Sequence, residues 1–310
     1  MPGAIDLHQH LWPELLVEAL RRRDRAPYLR GWTVYVDGEP PYRAAPADHD
    51  IESRLATDRA AGVDLTCVSL SSPLGIEELP PEEAGPLLDA WHEGAGDLPE
   101  GLRAWASVSS VAPDPDGLRA RLAEGFVGVQ LPATLLTTPE GWLAAGPVLV
   151  AAEAADRPVL VHPGAAPSDA SAAGRPAWWA AVVDYSAQLQ AAWWAWHAVG
   201  GRAHFPALRV VFAAGAGLAP LHQERHTARG GGSGVVDPDL FVDTSSYGPR
   251  AIDALVRVLG IDAVVLGSDR PYASWRDPQL GEAAAERIRH QNPERLLGRQ
   301  VGHGRRGVAA

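Results

Sequence analysis

The sequence predicts an α/β fold: a (β/α)8 TIM barrel with a long insertion after the first strand. Three observations carry this. Eight short apolar runs alternate with helical stretches, most runs are apolar throughout, and 310 residues suit one large domain. A parallel strand buried on both faces reads as a continuous apolar run, and βαβ crossovers separate such strands by helices. Eight units favour a closed barrel of roughly 250 residues over an open doubly wound sheet. No GxGxxG follows the first strand, which weakens a dinucleotide-binding alternative.

The runs come in order. Ala4 to His8 is the first. Val63 to Leu70 follows an amphipathic Ile51 to Gly62. Leu102 to Ser109 is the third, and Gly125 to Leu131 follows a helical Asp116 to Glu124. Pro158 to His162 follows Gly146 to Ala155. Leu208 to Ala213, Leu240 to Thr244 and Ala263 to Gly267 complete the set. Residues 1–300 are read as a single domain. Within it, 11–50 is an insertion over the barrel mouth, rich in Arg, Pro, Tyr and Trp; 301–310 is a flexible tail. The glycine-rich stretch Thr227 to Pro238 reads as a surface connector.

Composition excludes several functions. The net charge of −11 gives no general attraction to nucleic acid or anionic membrane. All 27 basic residues are arginine, so no Schiff-base, P-loop or carbamylated lysine exists. The single cysteine, Cys67, cannot form an internal disulfide and lies in an apolar run, so it reads as a packed strand residue. With neither a secretory leader nor an apolar span of membrane length in view, a cytoplasmic location is expected.

Barrel active sites gather at the C-terminal ends of strands. His8 and His10 alternate along strand 1 and point to one face. His162 ends strand 5 and Asp269 follows strand 8. Three imidazoles and a carboxylate suit one divalent ion, with Zn²⁺ the default and Mn²⁺ next. Each residue alone has a bland explanation; their concurrence at strand ends carries the reading.

Those residues belong to a wider pattern. It comprises Ile5-Asp6-Leu7-His8-Gln9-His10, Ala61-Gly62-Val63-Asp64, Gly125 to Pro132, Val161-His162-Pro163-Gly164, Phe205 to Arg209, Gly267-Ser268-Asp269 and Asn292 to Gly298. In this order the chain resembles the amidohydrolase-related group of metal-dependent barrels, which includes the aminocarboxymuconate-semialdehyde decarboxylase-like proteins. The resemblance implies that His8, His10, His162 and Asp269 ligate one metal. It also implies a histidine at the end of strand 6, where this chain has Ala214. Alanine cannot transfer a proton. Asp269 itself, or His222, Asp243, His226 or His49, are the candidates to take over.

Other side chains are candidates for substrate. Trp12 and Trp32 lie in the insertion, Tyr247 follows strand 7 after Ser245 and Ser246, and Arg270 and Arg276 follow strand 8. Tryptophans 178, 179, 193, 194 and 196 fall in one helix, roughly Pro176 to Val199. They are read as packing or as contact in a homo-oligomer, most simply a dimer. The leading function is hydrolysis of a small organic acid, ester, lactone or amide by water activated at the metal, with Asp269 taking the proton. The second is non-oxidative decarboxylation of a small aromatic or dienoic acid. The third is a catalytically altered barrel that binds a ligand without turnover.

Overall fold

The computed structural model describes residues 3–168, 174–232 and 236–298. The predicted tail at 301–310 and part of the glycine-rich stretch, 233–235, lie outside them.

The chain begins with β1 (Ala4–His10), which runs two residues beyond the expected end, so both histidines lie within the strand. The insertion then forms α1 (Glu14–Arg22) and three short strands, β2 (Tyr28–Arg30), β3 (Thr33–Tyr35) and β4 (Tyr42–Arg43), paired as an antiparallel meander. A loop or a small subdomain was expected there; its two- and three-residue strands are too short to show periodicity in sequence.

The repeating part follows. It runs α2 (Ile51–Ala60), β5 (Val63–Ser69), α3 (Pro81–Gly96), β6 (Leu102–Ala104), β7 (Ala106–Ser107), α4 (Pro115–Glu124) and β8 (Val129–Pro132). Next come α5 (Pro139–Ala144), α6 (Gly146–Ala154), β9 (Val159–His162), α7 (Tyr185–Val199), α8 (Gly201–His204), β10 (Val210–Phe212) and α9 (Gln223–Ala228). The chain ends with β11 (Leu240–Asp243), α10 (Pro249–Leu259), β12 (Val264–Val265), α11 (Glu282–Glu286) and α12 (Asn292–Leu297). Local chemistry sets several boundaries. Asp50 caps α2 by accepting from the Ser53 N–H, and Asp114 caps α4 with Pro115 in its first turn.

The pairing is parallel in chain order: β1-β5-β6 in one sheet and β7-β8-β9-β10-β11-β12 in another. Backbone hydrogen bonds join the two sheets on both sides. Trp105, between β6 and β7, donates to Val68 O, and Ala106 donates to Gly128 O. At the other junction Leu7 N–H donates to Leu266 O and His10 N–H to Arg270 O. This is the α/β strand order the sequence predicts.

Two apolar layers follow from it. Ile5, Leu7, Cys67, Trp105, Leu160, Val211, Phe241 and Val265 form an inner cluster with Leu296 and Leu297 of α12. A larger cluster fills the space between strands and helices. Cys67 is fully buried, and burial pushes its thiol up, as a packing residue requires. Trp193 and Trp196 of α7 are also core: Trp193 meets Phe212 edge-on at 5.2 Å and Trp196 meets Trp142 at 4.8 Å. Trp178, by contrast, is exposed.

The segment beyond strand 6 is irregular. Ala214 to Leu218 all have positive φ, three of them non-glycine, and the regular helix α9 starts at Gln223. Such left-handed residues are costly for L-amino acids and collect at functional sites.

Candidate metal centre

β1 supplies the first two donors through an irregularity. Its register against β5 shifts between Asp6 and Gln9. Leu7 joins the inner cluster, while His8 and His10 converge beyond it and Gln9 points the other way, toward Asp58 of α2. Bulges of this kind re-aim side chains next to active sites. β9 contributes His162 from its last position, and Asp269 sits four residues past β12 in a left-handed conformation, φ +58°.

One donor atom from each of His8, His10, His162 and Asp269 lies within 4.8 Å of all the others. His8 Nε2 is 3.1 Å from His10 Nε2 and 3.6 Å from Asp269 Oδ1; His10 Nε2 is 3.2 Å from the same oxygen. Two ligands held about 2.1 Å from one ion stand roughly 3–3.4 Å apart. The spacing therefore fits a shared cation.

The far side of each ring explains why. His8 Nδ1 donates to Asp243 Oδ2 at 2.7 Å, His10 Nδ1 to Ser69 O at 3.2 Å and His162 Nδ1 to Pro163 O at 2.9 Å. With every Nδ1 committed as a donor, each neutral ring turns its Nε2 lone pair inward. Lone pairs 3.1 Å apart repel unless positive charge lies between them. Either an ion or a proton on His8 can supply that charge. Burial opposes charge on His8, but Asp243 and then Asp269 outweigh it and hold the imidazole up at about 9. Burial and the neighbouring rings push His162 well down, and burial lowers His10. Burial alone would raise Asp269, yet the contact with His10 and the charge of His8 keep its carboxyl below the usual range.

Asp243 was expected at the mouth. It is fully buried behind His8, and its other oxygen accepts from Ala214 N–H, Ser245 N–H and Ser245 Oγ. It orients the His8 ring, and its complete burial gives it no face toward substrate. The close approach depends on Gly267, where a Cβ would stand 2.7 Å from Asp243 Oδ2.

The other candidates are dispersed. His222 is exposed and outside the cluster. His226 packs against Trp194 at 4.9 Å. His49 is sandwiched between Trp12 and Trp32, at 4.3 and 5.8 Å, and burial depresses it to about 3. Trp12 is a correction too: it is 1% exposed, donating from Nε1 to Ser71 Oγ, so it is core and not a substrate contact. Trp32 is half-buried, with Arg21 over its ring at 5.3 Å. Arg270 is committed elsewhere, donating to Asp58 Oδ1 at 2.8 Å, and Arg276 is exposed. Tyr247 packs over the backbone at Gly215, beside the position vacated by the expected histidine.

Two further residues stand beside the cluster: Ser246, expected near substrate, and Tyr272, which sequence reasoning missed. Ser246 Oγ donates to Asp269 Oδ2 at 3.4 Å. Tyr272 sets its ring edge-on to His10 at 5.3 Å, with its phenol 3.5 Å from Ser71 Oγ. For Tyr272 the available signal was its place three residues after Asp269.

No family model matches the sequence, and no curated protein does. Solved structures match along nearly the whole chain. The apo form of Metarhizium anisopliae IDCase superposes with a TM-score of 0.76 at 18% identity, covering 96% of this chain and 97% of that one. The 5-carboxyvanillate decarboxylase of Sphingomonas paucimobilis gives 0.74 at 19% identity, covering 96% and 99%. A dihydroxybenzoic acid decarboxylase from Polaromonas sp. JS666, with bound manganese and the inhibitor 2-nitroresorcinol, gives 0.69 at 18%, covering all of both chains. The chain has the fold of these proteins. Fold is the level at which the likeness speaks, since fold alone does not carry function. Among the described residues no helix is long and apolar enough to cross a membrane.

Proposed function

We propose that the chain is a metal-dependent decarboxylase of a small aromatic acid, with one divalent ion held by His8, His10, His162 and Asp269. The observation that carries the metal is the convergence of three Nδ1-anchored histidines and one carboxylate within 4.8 Å. Support for the reaction comes from fold neighbours that are aromatic-acid decarboxylases over 95% or more of this chain. Manganese in several of them favours Mn²⁺ over the zinc expected from the ligand types.

The fold neighbours favour decarboxylation over the hydrolysis first expected, while the residues left at the site make Asp269 the proton carrier for either reaction. Hydrolysis needs a base positioned on an attacking water. Ala214 removes the expected one, His222 is exposed, Asp243 is buried behind His8 and His49 is stacked between tryptophans, which leaves Asp269. Decarboxylation asks for less: a cation to hold oxygens and a group to manage one proton. A divalent ion at such a site supplies electrostatic stabilisation of the charge that develops as the carboxylate leaves. Asp269 is suited to the proton. Its Oδ1 faces the imidazoles while Oδ2 takes the Ser246 hydroxyl, and at 18% exposure its side chain reaches the surface of the site. Tyr272, beside His10, can donate to a substrate oxygen.

The test is carbon dioxide release from hydroxylated benzoic acids by the Mn²⁺-loaded protein. Turnover is expected, and Ala214→His is expected to raise it. Ester or lactone cleavage without carbon dioxide release would restore the hydrolase reading, and binding without product the ligand-binding one. Asp243→Asn is expected to weaken Mn²⁺ binding by roughly 10–100-fold, the usual loss when a partner behind a ligand is removed. Calorimetric titration checks this; an unchanged affinity would deny Asp243 the orienting role.

A further inference from the structure

The middle residue of the His8-Gln9-His10 segment is unused by the metal site, yet it is fully buried. Gln9 Nε2 donates to Asp6 Oδ2 at 2.8 Å and to Asp58 Oδ1 at 3.0 Å, and its Oε1 accepts from Arg54 Nη1 at 2.6 Å. Asp58, on α2, is 3% exposed. It also accepts from Thr66 Oγ1 and from Arg270 Nη1, both at 2.8 Å. Asp6 Oδ1 accepts from Ser268 N–H at 3.0 Å and His8 N–H at 3.2 Å. The residues flanking Asp269, Ser268 through its backbone N–H and Arg270 through its side chain and Asp58, are thus tied to the strand that carries His8 and His10.

The backbone repeats the tie. Asp269 N–H donates to His8 O at 2.8 Å, His10 N–H to Arg270 O at 2.6 Å, and Gln9 pairs with Arg270 as a parallel bridge. Asp269 needs this. Its φ of +58° is a conformation that non-glycine residues adopt rarely and hold only when their surroundings over-determine them. Arg270 cannot leave its place without separating a nearly buried carboxylate from its guanidinium partner.

We propose that Asp58, bridging Gln9 and Arg270, is a positioning residue that fixes the Asp269 carboxylate against His8 and His10. It touches none of the four donors and acts through the segment on either side of Asp269. The proposal rests on the metal-centre reading above, and the test separates the two. Mn²⁺ is titrated into the full chain, wild type and Asp58→Asn, by calorimetry and by the electron paramagnetic resonance of free Mn²⁺. Wild type is expected to bind one ion and Asp58→Asn to bind it about 10–100-fold more weakly, as for other outer partners of metal ligands. Arg270→Lys, which keeps the charge but loses the planar fork, is expected to fall between them. A Leu122→Ala control, buried in α4 away from the site, loses stability without losing affinity. If Asp58→Asn does not fold, Arg270→Lys carries the comparison. Affinity within threefold of wild type in whichever of the two variants is measured overturns the positioning role. A wild type that binds no Mn²⁺ overturns the metal centre itself.

Discussion

Asp269→Asn is expected to lose both metal and turnover. The substitution keeps the side chain's shape and its place in the left-handed segment, where asparagine is well tolerated. It removes the one negative charge that faces both His8 and His10, at 3.6 and 3.2 Å. The affinity for Mn²⁺ should fall further than the 10–100-fold typical of outer partners. Carbon dioxide release should drop by about 10²–10⁴-fold, the range a positioned proton carrier contributes. Metal titration followed by turnover at saturating Mn²⁺ separates the two losses. Full activity in Asp269→Asn would remove Asp269 from both roles.

Trp12→Ala is expected to destabilise the fold by about 3–5 kcal/mol, the usual cost of truncating a buried aromatic. Trp12 is among the largest fully buried side chains. Its backbone N–H donates to His49 Nδ1 at 3.1 Å, its indole N–H to Ser71 Oγ at 2.9 Å, and its ring stacks on His49 with planes 11° apart. Truncation empties one side of the Trp12–His49–Trp32 stack and frees Ser71, which also neighbours the Tyr272 phenol. Denaturant unfolding measures the loss. Unchanged stability with an altered KM would return Trp12 to the substrate-contacting role its sequence position suggested.

What could be read from sequence depended on distance along the chain. His8, His10, His162 and Asp269 were legible because each lies in or just after an apolar strand, and a parallel strand order brings such positions to one end. Strand identities were legible for the same reason, although β8 begins at Val129, four residues later than expected, because Gly125 ends α4 in a left-handed conformation. Partners were not legible. Asp243 meets His8 across 235 residues and Arg270 meets Asp58 across 212, and neither pairing leaves a local signal. A charged residue near a strand end looks the same whether it faces the mouth or a helix behind it. The left-handed run at Ala214 to Leu218 was hidden because Ala216 and Leu218 are residues that seldom adopt it. Trp12 was misread because its burial depends on how the insertion folds back onto Ser71 and His49.

The central claim is that one ion sits where three histidines and Asp269 converge. Anomalous diffraction at the manganese edge from crystals grown with Mn²⁺ tests it directly. One peak is expected per chain, within bonding distance of Nε2 of His8, His10 and His162 and of an Asp269 oxygen. No peak there, or a peak bound elsewhere with this cluster empty, would contradict the account.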